Sequence, residues 1–214
     1  MKPIHALAFA AGLAICIPAS AARSQTLIEE WSTAKLPAPP ALKPAELDAK
    51  ETAVLAMDFT KQTCSPERRK RCADQVATVQ KFVAEARAKG ALIIYSVAVP
   101  NSVPADILPA LTPAAGEQVL PPLGPDKFLG SDLEKRLKDK AIKTVIVTGS
   151  SAQGVVIGTG SGAAQRGYKV IVPVDGMSSD DVYSEQYAAW HMYKGGPAIV
   201  TDQVTLTRSD MISF

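Results

Sequence analysis

Short, wholly apolar runs alternate along this chain with segments whose apolar residues recur at helical spacing, and few folds satisfy that alternation. The runs are Thr52–Met57, 92–99, 144–148, 169–174 and 198–200. Between the first two, 74–89 carries Val76, Val79, Phe82, Val83 and Ala86 at helical spacing and stops at Gly90. Ser131 or Asp132 caps a helix to about 140, and a glycine-rich helix covers 153–166 up to Gly167. Ser179-Asp180-Asp181 caps another through 193, ended by Gly195-Gly196-Pro197. Strands without polar alternation are buried on both faces, which predicts an α/β, three-layer αβα fold around a mainly parallel sheet. In such sheets ligands bind beyond the carboxyl ends of the strands. That rule selects Asp58, the loop 100–125 and the turn 149–154.

The flanking segments read differently. Residues 1–21 have the form of a signal peptide: a basic start at Lys2, an apolar run over 6–17, and Ala19-Ser20-Ala21 for cleavage. The run falls short of the roughly 20 residues a bilayer span needs. A lipid anchor would fall on Cys16, but Ile15 precedes it where a small residue is expected. The expected product is therefore periplasmic or secreted, with no membrane attachment after cleavage. Residues 22–50 read as an arm, because Pro37, Pro39, Pro40 and Pro44 leave little room for helix or sheet. The domain proper is expected over 51–214. Seven prolines within 100–125 predict a long ordered or capping loop.

Composition closes several doors. A net charge of +2 from 23 basic and 21 acidic residues gives no broad basic field, so no nucleic-acid partner is expected. Two histidines and three cysteines, with His5 and Cys16 inside the leader, leave no metal site and no metal cofactor to expect. Export leaves Cys64 and Cys72 in an oxidising compartment. The polar, turn-prone stretch 65–71 between them lets the chain fold back, and a disulfide there reads as a structural staple. The other reading is a redox or nucleophilic thiol pair, although there is no Cys-x-x-Cys and no nearby histidine.

Two strand ends carry chemistry. Asp58 is either a turn residue or an acid–base group at the mouth of a buried strand. Gly149-Ser150-Ser151-Ala152-Gln153-Gly154 leads from a strand into a helix, so its amides favour an anion or developing oxyanion; the bland reading is a plain βα turn. A dinucleotide fingerprint does not fit, since Gly158 and Gly160 fall inside the helix and too little chain follows them. Gly158, Gly160 and Gly162 read instead as close packing of that helix against the sheet. Trp190 reads as a core or interface aromatic, and His191 as a surface polar residue or an acid–base candidate.

With these features in place, residues 52–206 resemble the isochorismatase-like, or cysteine hydrolase, superfamily. The resemblance rests on Val54-Leu55-Ala56-Met57-Asp58-Phe59-Thr60, on Phe128-Leu129-Gly130-Ser131-Asp132-Leu133, on the run from Ile146 through Gly149 and Val155 to Thr159, and on Arg166-Gly167-Tyr168-Lys169-Val170. It implies a Rossmann-like sheet and an Asp–Lys–Cys triad that hydrolyses amides and related C–N bonds. Asp58 falls on the aspartate and Val155 on the cysteine, with Thr159 as the anchor of that register. The lysine is expected at Pro122; Lys127 adjoins the motif, but its side chain is expected to point elsewhere. Thr60 replaces a glutamine, and the histidines of metal-binding nicotinamidases have no counterpart. The resemblance further implies a ligand site lined by Phe59, Ser150, Ser151, Gln153 and Gly154, a cis peptide after Ser150, a homo-oligomer, and no cofactor.

Three functional readings follow. The first is a small-molecule-binding relative with a degenerate triad, a pseudoenzyme. The second is a non-thiol hydrolase using Asp58 as general acid or base, in the manner of isochorismatases that lack the cysteine, keep the lysine and act on a vinyl ether. The third is an oligomeric structural or interaction module built on the 22–50 arm and the proline-rich loop.

Overall fold

The computed structural model describes residues 26–98 and 100–214. The expected signal peptide, 1–21, lies outside the described residues, as do His5 and Cys16. The chain separates into two compact units, one ending at Leu36 and one spanning Pro37–Phe214. In the first, Thr26 and Glu29 cap the short helix α1 (Leu27–Glu30) reciprocally, and Leu27, Ile28 and Trp31 are exposed.

The second unit contains strands β1 (Ala45–Glu46), β2 (Thr52–Met57), β3 (Leu92–Ser96), β4 (Gln118–Leu120), β5 (Thr144–Ser150), β6 (Lys169–Pro173), β7 (Met177–Ser178), β8 (Val204–Thr207) and β9 (Ile212–Ser213). Its helices are α2 (Pro66–Ala88), α3 (Leu133–Asp139), α4 (Ile157–Gln165), α5 (Val182–Trp190) and α6 (Ala198–Thr201). The main sheet runs β4-β3-β2-β5-β6-β8, every pairing parallel, with β7 continuing alongside β5. Residues of β2 alternate between two cores. Ala53, Leu55 and Met57 pack towards Leu133 and Leu137 of α3 and Ala163 and Ala164 of α4. Val54 and Ala56 pack towards Val79, Phe82, Val83 and Ala86 of α2. Both faces of the sheet are thus covered, as the wholly apolar strands require.

This topology positions the site. From β2 the chain moves outward through β3 to β4, then crosses back to place β5 on the other side of β2. The carboxyl ends of β2 and β5 therefore flank the switch point of the sheet, the place where open α/β sheets bind ligands. Met57 pairs in register with Gly149, so Asp58 and Ser150 leave the sheet side by side.

The structure departs from the sequence reading in four places. Residues 65–71 are not a turn: Ser65 caps α2 by accepting from the Arg68 amide (3.2 Å), Pro66 opens the helix, and only Arg69 leaves helical geometry (φ −153°, ψ 80°). The loop 100–125 contains β4, which pairs with β3 between its prolines. Residues 198–201 form α6 after Pro197, while the edge strand is β8, whose Val204, Thr205 and Thr207 suit a pleated surface. Finally, the end of the 22–50 stretch belongs to the domain. The Lys43 amide donates to the Leu206 carbonyl (2.9 Å), and β1 pairs with β9 so that Ala45 and Ile212 join the core beneath α2. The compact unit accordingly begins at Pro37, not at 51.

Cys64 and Cys72 are joined by a disulfide, and both are buried. The link closes a sequence separation of 8 residues around the start of α2. Replacing both by serine is expected to lower the unfolding free energy by about 2–3 kcal/mol through the entropy of the opened loop. Urea unfolding of the oxidised chain and of the double variant measures the difference, which disappears when the natural chain is first reduced.

Candidate active site

Asp58 takes a left-handed backbone (φ 58°), which a non-glycine residue adopts only where its surroundings hold it there. The Thr60 amide (2.9 Å) and the Thr63 hydroxyl both donate to its carbonyl, and its own amide donates to the Ser96 carbonyl (3.2 Å). The turn sends Phe59 into the core beneath α2 with Cys64, Cys72 and Ile107. Phe59, expected to line a ligand, is a buried member of this core cluster. Thr60 is likewise buried, held by Thr63.

The Asp58 carboxylate is fixed through one oxygen. Oδ1 accepts from the Ser96 hydroxyl (2.6 Å) and lies 3.0 Å from Lys127 Nζ. Among the described residues no hydrogen bond reaches Oδ2. The Lys127 side chain is completely buried, and its ammonium has three oxygen neighbours: Asp58 Oδ1, the Leu123 carbonyl (3.1 Å) and the Val97 carbonyl (3.4 Å). An ammonium has three protons to donate, so this one is saturated. Here the sequence reading is corrected. The ammonium expected at Pro122 comes from Lys127, whose side chain points at Asp58 and not elsewhere. Pro122 lines a neighbouring cleft of about 530 Å³ with Val97, Ser102 and Leu120.

Lys127 reaches Asp58 because α4 admits its backbone. The Thr159 hydroxyl accepts from the Lys127 amide (3.1 Å) and donates to the Pro125 carbonyl (2.9 Å). A Cβ at Gly158 would stand 2.7 Å from the Pro125 carbonyl carbon, and one at Gly162 would stand 2.6 Å from Asp126 Oδ1. These two glycines seat the lysine-bearing segment, whereas the sequence suggested packing against the sheet. Gly160 faces Met192.

Val155 occupies a wide turn, Ala152–Val156, between β5 and α4. A Cβ at Gly149 would sit 2.9 Å from Val155 Cγ1 and 2.8 Å from the Met57 carbonyl oxygen, and Val155 is buried in the same core cluster as Met57. The disulfide occupies both described thiols. The Ser150–Ser151 peptide is cis. Ser151 and Gly154 are half-buried and Gln153 is exposed. The Gln153 side-chain carbonyl accepts from the Ser179 hydroxyl, which also accepts from the Ala152 amide (3.2 Å).

Arg69 was invisible to sequence reasoning, being one of a run of basic residues that reads as a solvated face. Its departure from helical geometry turns the guanidinium inward, and it is 7% exposed. Nη1 donates to Ser150 Oγ (2.7 Å), while Nε (3.0 Å) and Nη2 (3.3 Å) donate to Asp180, which Arg68 also contacts (2.9 Å). The hydrogen bond from Arg69 holds the Asp180 carboxyl below its usual range. His191 lies away from this cluster, its ring 5.7 Å from that of Tyr187. Trp190 closes over Gly195. Among the described residues no three carboxylate, histidine or cysteine side chains converge as a metal site.

A mainly parallel sheet covered by helices on both faces, with an Asp–Lys pair at its switch point, defines the three-layer α/β class. Residues 52–203 match the isochorismatase domain model, and the chain belongs to that family. It is 30% identical over 124 residues to the N-carbamoylsarcosine amidase of an Arthrobacter species, a stretch covering 46% of this chain and 47% of that protein. The chain thus spans about half the length of this curated relative. Among solved structures, an isochorismatase family protein from Desulfovibrio vulgaris superposes with a TM-score of 0.67 at 20% identity, over 75% of this chain and 95% of that one. A cysteine hydrolase from Pseudomonas syringae gives 0.67 at 21%, over 80% and 94%, and the N-carbamoylsarcosine amidase of Thermoplasma acidophilum gives 0.60 at 21%, over 75% and 97%. These likenesses establish the fold.

Removing one member of the buried pair leaves the other without its counter-charge. Lys127→Met is expected to cost about 3–5 kcal/mol, and adding Asp58→Asn to recover much of it. A double-mutant cycle by urea unfolding measures the coupling; simple additivity of the two changes would refute it. Gly158→Ala, pressing on the Pro125 backbone, is expected to cost about 1–3 kcal/mol. In that variant Lys127 becomes reactive to amine acetylation, read by mass spectrometry; unchanged protection would show that the glycine does not seat the lysine.

Proposed function

We propose that this protein binds a small molecule at the carboxyl ends of β2 and β5 and hydrolyses it by proton transfer at Asp58, without a thiol intermediate. The observation that carries this reading is the 3.0 Å ion pair of Asp58 and Lys127, taken with the valine at the position where the resemblance places a cysteine. Thiol catalysis supplies a nucleophile worth several orders of magnitude in rate, and valine offers none. The acid–base half of the machinery is nevertheless complete. A buried ion pair is weak as a stabilising device, since apolar residues of similar volume often serve as well. Its presence at the switch point therefore favours use over mere support. That shifts the balance from a pseudoenzyme to a hydrolase that works without sulfur.

The substrate class this arrangement suits is a vinyl ether or related enol derivative. During turnover Asp58 takes a proton from solvent at Oδ2, the oxygen that no described residue bonds, and delivers it to the vinyl carbon. Water adds to the resulting oxocarbenium carbon and returns a proton to the carboxylate. The adduct then separates into a carbonyl compound and an alcohol. Lys127 fixes Oδ1 and balances the carboxylate charge that appears as the proton leaves. The amino-terminal pattern supports export to the periplasm or beyond, where the Cys64–Cys72 pair would be oxidised.

The test is turnover of a panel of small vinyl ethers and amides by the chain without residues 1–21. Vinyl-ether hydrolysis is expected from the natural protein, falling by about 10²–10⁴-fold in Asp58→Asn. Val155→Cys is expected to add slow amide hydrolysis. Amide turnover by the unaltered protein that survives Asp58→Asn would contradict the proposal, as would no turnover of any vinyl ether.

A further inference from the structure

The outward face of α5 carries aromatic rings where a surface helix ordinarily carries charge. Ala188, Ala189 and Met192 turn into the core, and Glu185 turns to Arg71. Between Asp181 and Lys194, Glu185 is the one fully charged residue. The face left outward shows Val182 (58% exposed), Tyr183 (61%) and Tyr187 (41%), although solvated helix faces are normally polar. Tyr183, Tyr187 and His191 recur every four residues, forming one ridge along the helix and the turn that extends it. The rings of Tyr187 and His191 lie 5.7 Å apart, and a Cβ at Gly196 would meet His191 Nε2 at 3.4 Å, so the ridge is held in place. On one flank an apolar groove of about 440 Å³ continues from Val182 and Ala189 to Pro39, Pro40 and Leu42. The two ends differ in charge. At the amino-terminal end Asp180 and Arg68 neutralise one another and Arg69 is buried, so Asp181 is the surface charge left over. Its carboxylate caps α5 through Ser184 and meets no cation among the described residues. At the other end Lys194 is exposed and, among the same residues, meets no carboxylate.

We propose that this face joins two copies of the chain, their α5 helices packed antiparallel across a two-fold axis at Tyr187. A two-fold interface sets a surface against its own copy, so the surface must be self-complementary. The α5 face meets that condition. Tyr187 stands on the axis and packs on the partner's Tyr187. Tyr183, four residues before the axis, lies against the partner's His191, four residues after it. Asp181, six before, comes opposite the partner's Lys194, seven after and on a flexible stem. Each charge that lacks a counter-ion thus finds one, twice over. A parallel pairing would instead oppose like charges at both ends. Ridges of four-residue spacing are the ones that interdigitate in the commonest helix packing, and tyrosine covers much area at little entropic cost. The contact lies on α5, not on the proline-rich loop, and is independent of the chemistry at Asp58.

The test reads mass in solution, by sedimentation equilibrium of the chain without residues 1–21 over about 1–100 µM. The natural chain is expected to form a dimer with a Kd of about 10 µM or below. A residue on the axis meets its own copy, so Tyr187→Arg sets two cations face to face and Tyr187→Glu two anions. Each variant is expected to weaken the dimer about 100-fold or more, with an unchanged circular dichroism spectrum because the side chain is exposed. An equimolar mixture of the two variants is expected to recover a dimer within about tenfold of the natural affinity, since the axis then pairs arginine with glutamate. Lys194→Glu is expected to weaken the natural dimer several-fold and to reduce its sensitivity to salt. A natural chain that stays monomeric over the whole range overturns the proposal and leaves the face to an unlike partner. A dimer that ignores Tyr187→Arg also overturns it, placing the contact elsewhere. So does a mixture of the two Tyr187 variants that remains monomeric, because the face would then not meet its own copy at Tyr187.

Discussion

A buried ammonium touching a buried carboxylate organises this molecule. Neither charge is tolerable alone in the interior, and their attraction offsets desolvation only when the remaining hydrogen-bonding capacity is filled. Lys127 meets that condition through two backbone carbonyls, whereas Asp58 meets it at Oδ1 alone, through Ser96. The surroundings follow from keeping those groups in place. Left-handed geometry at Asp58 aims the carboxylate across the end of the sheet, Thr159 holds the backbone of Lys127, and the small residues of α4 let that backbone come close. The constraint runs from side-chain charge to helix composition.

The fold was legible because its strands are apolar throughout, a pattern that allows only a covered parallel sheet. The cis Ser150–Ser151 peptide was legible through the resemblance, and the Cys64–Cys72 link through two cysteines expected in an oxidising compartment. Lys127 was not, because counting along the chain from Phe128 leads to Pro122, whereas the loop between β4 and α3 curls so that a later residue enters the same space. A signal did exist. No lysine occurs from Gly90 to Asp126, so Lys127 was the cation nearest the expected position, and Gly158-Thr159 with Gly162 on the next helix marked a close backbone approach.

Other misreadings have physical sources too. The stretch between the cysteines is polar and charged, which suggests a turn, yet a serine cap followed by proline starts a helix just as well. Proline density hid β4, since three residues suffice for an edge strand between proline-containing turns. Residues 198–200 are as apolar as a strand, but Pro197 favours a helical turn and leaves the edge to β8. Arg69 left no trace in the pattern, because its inward turn depends on a single backbone departure.

These features together describe a family member with a buried Asp58–Lys127 pair at the strand ends and a valine at position 155.

The central claim is tested most directly by ¹⁵N NMR of the lysine side chains. A fully buried ammonium bonded to Asp58 and two carbonyls is expected to give a sharp, slowly exchanging Nζ signal, assigned to Lys127 by its loss in Lys127→Met and displaced in Asp58→Asn. A Lys127 ammonium that exchanges as fast as those of the exposed lysines, and ignores the change at Asp58, would contradict it.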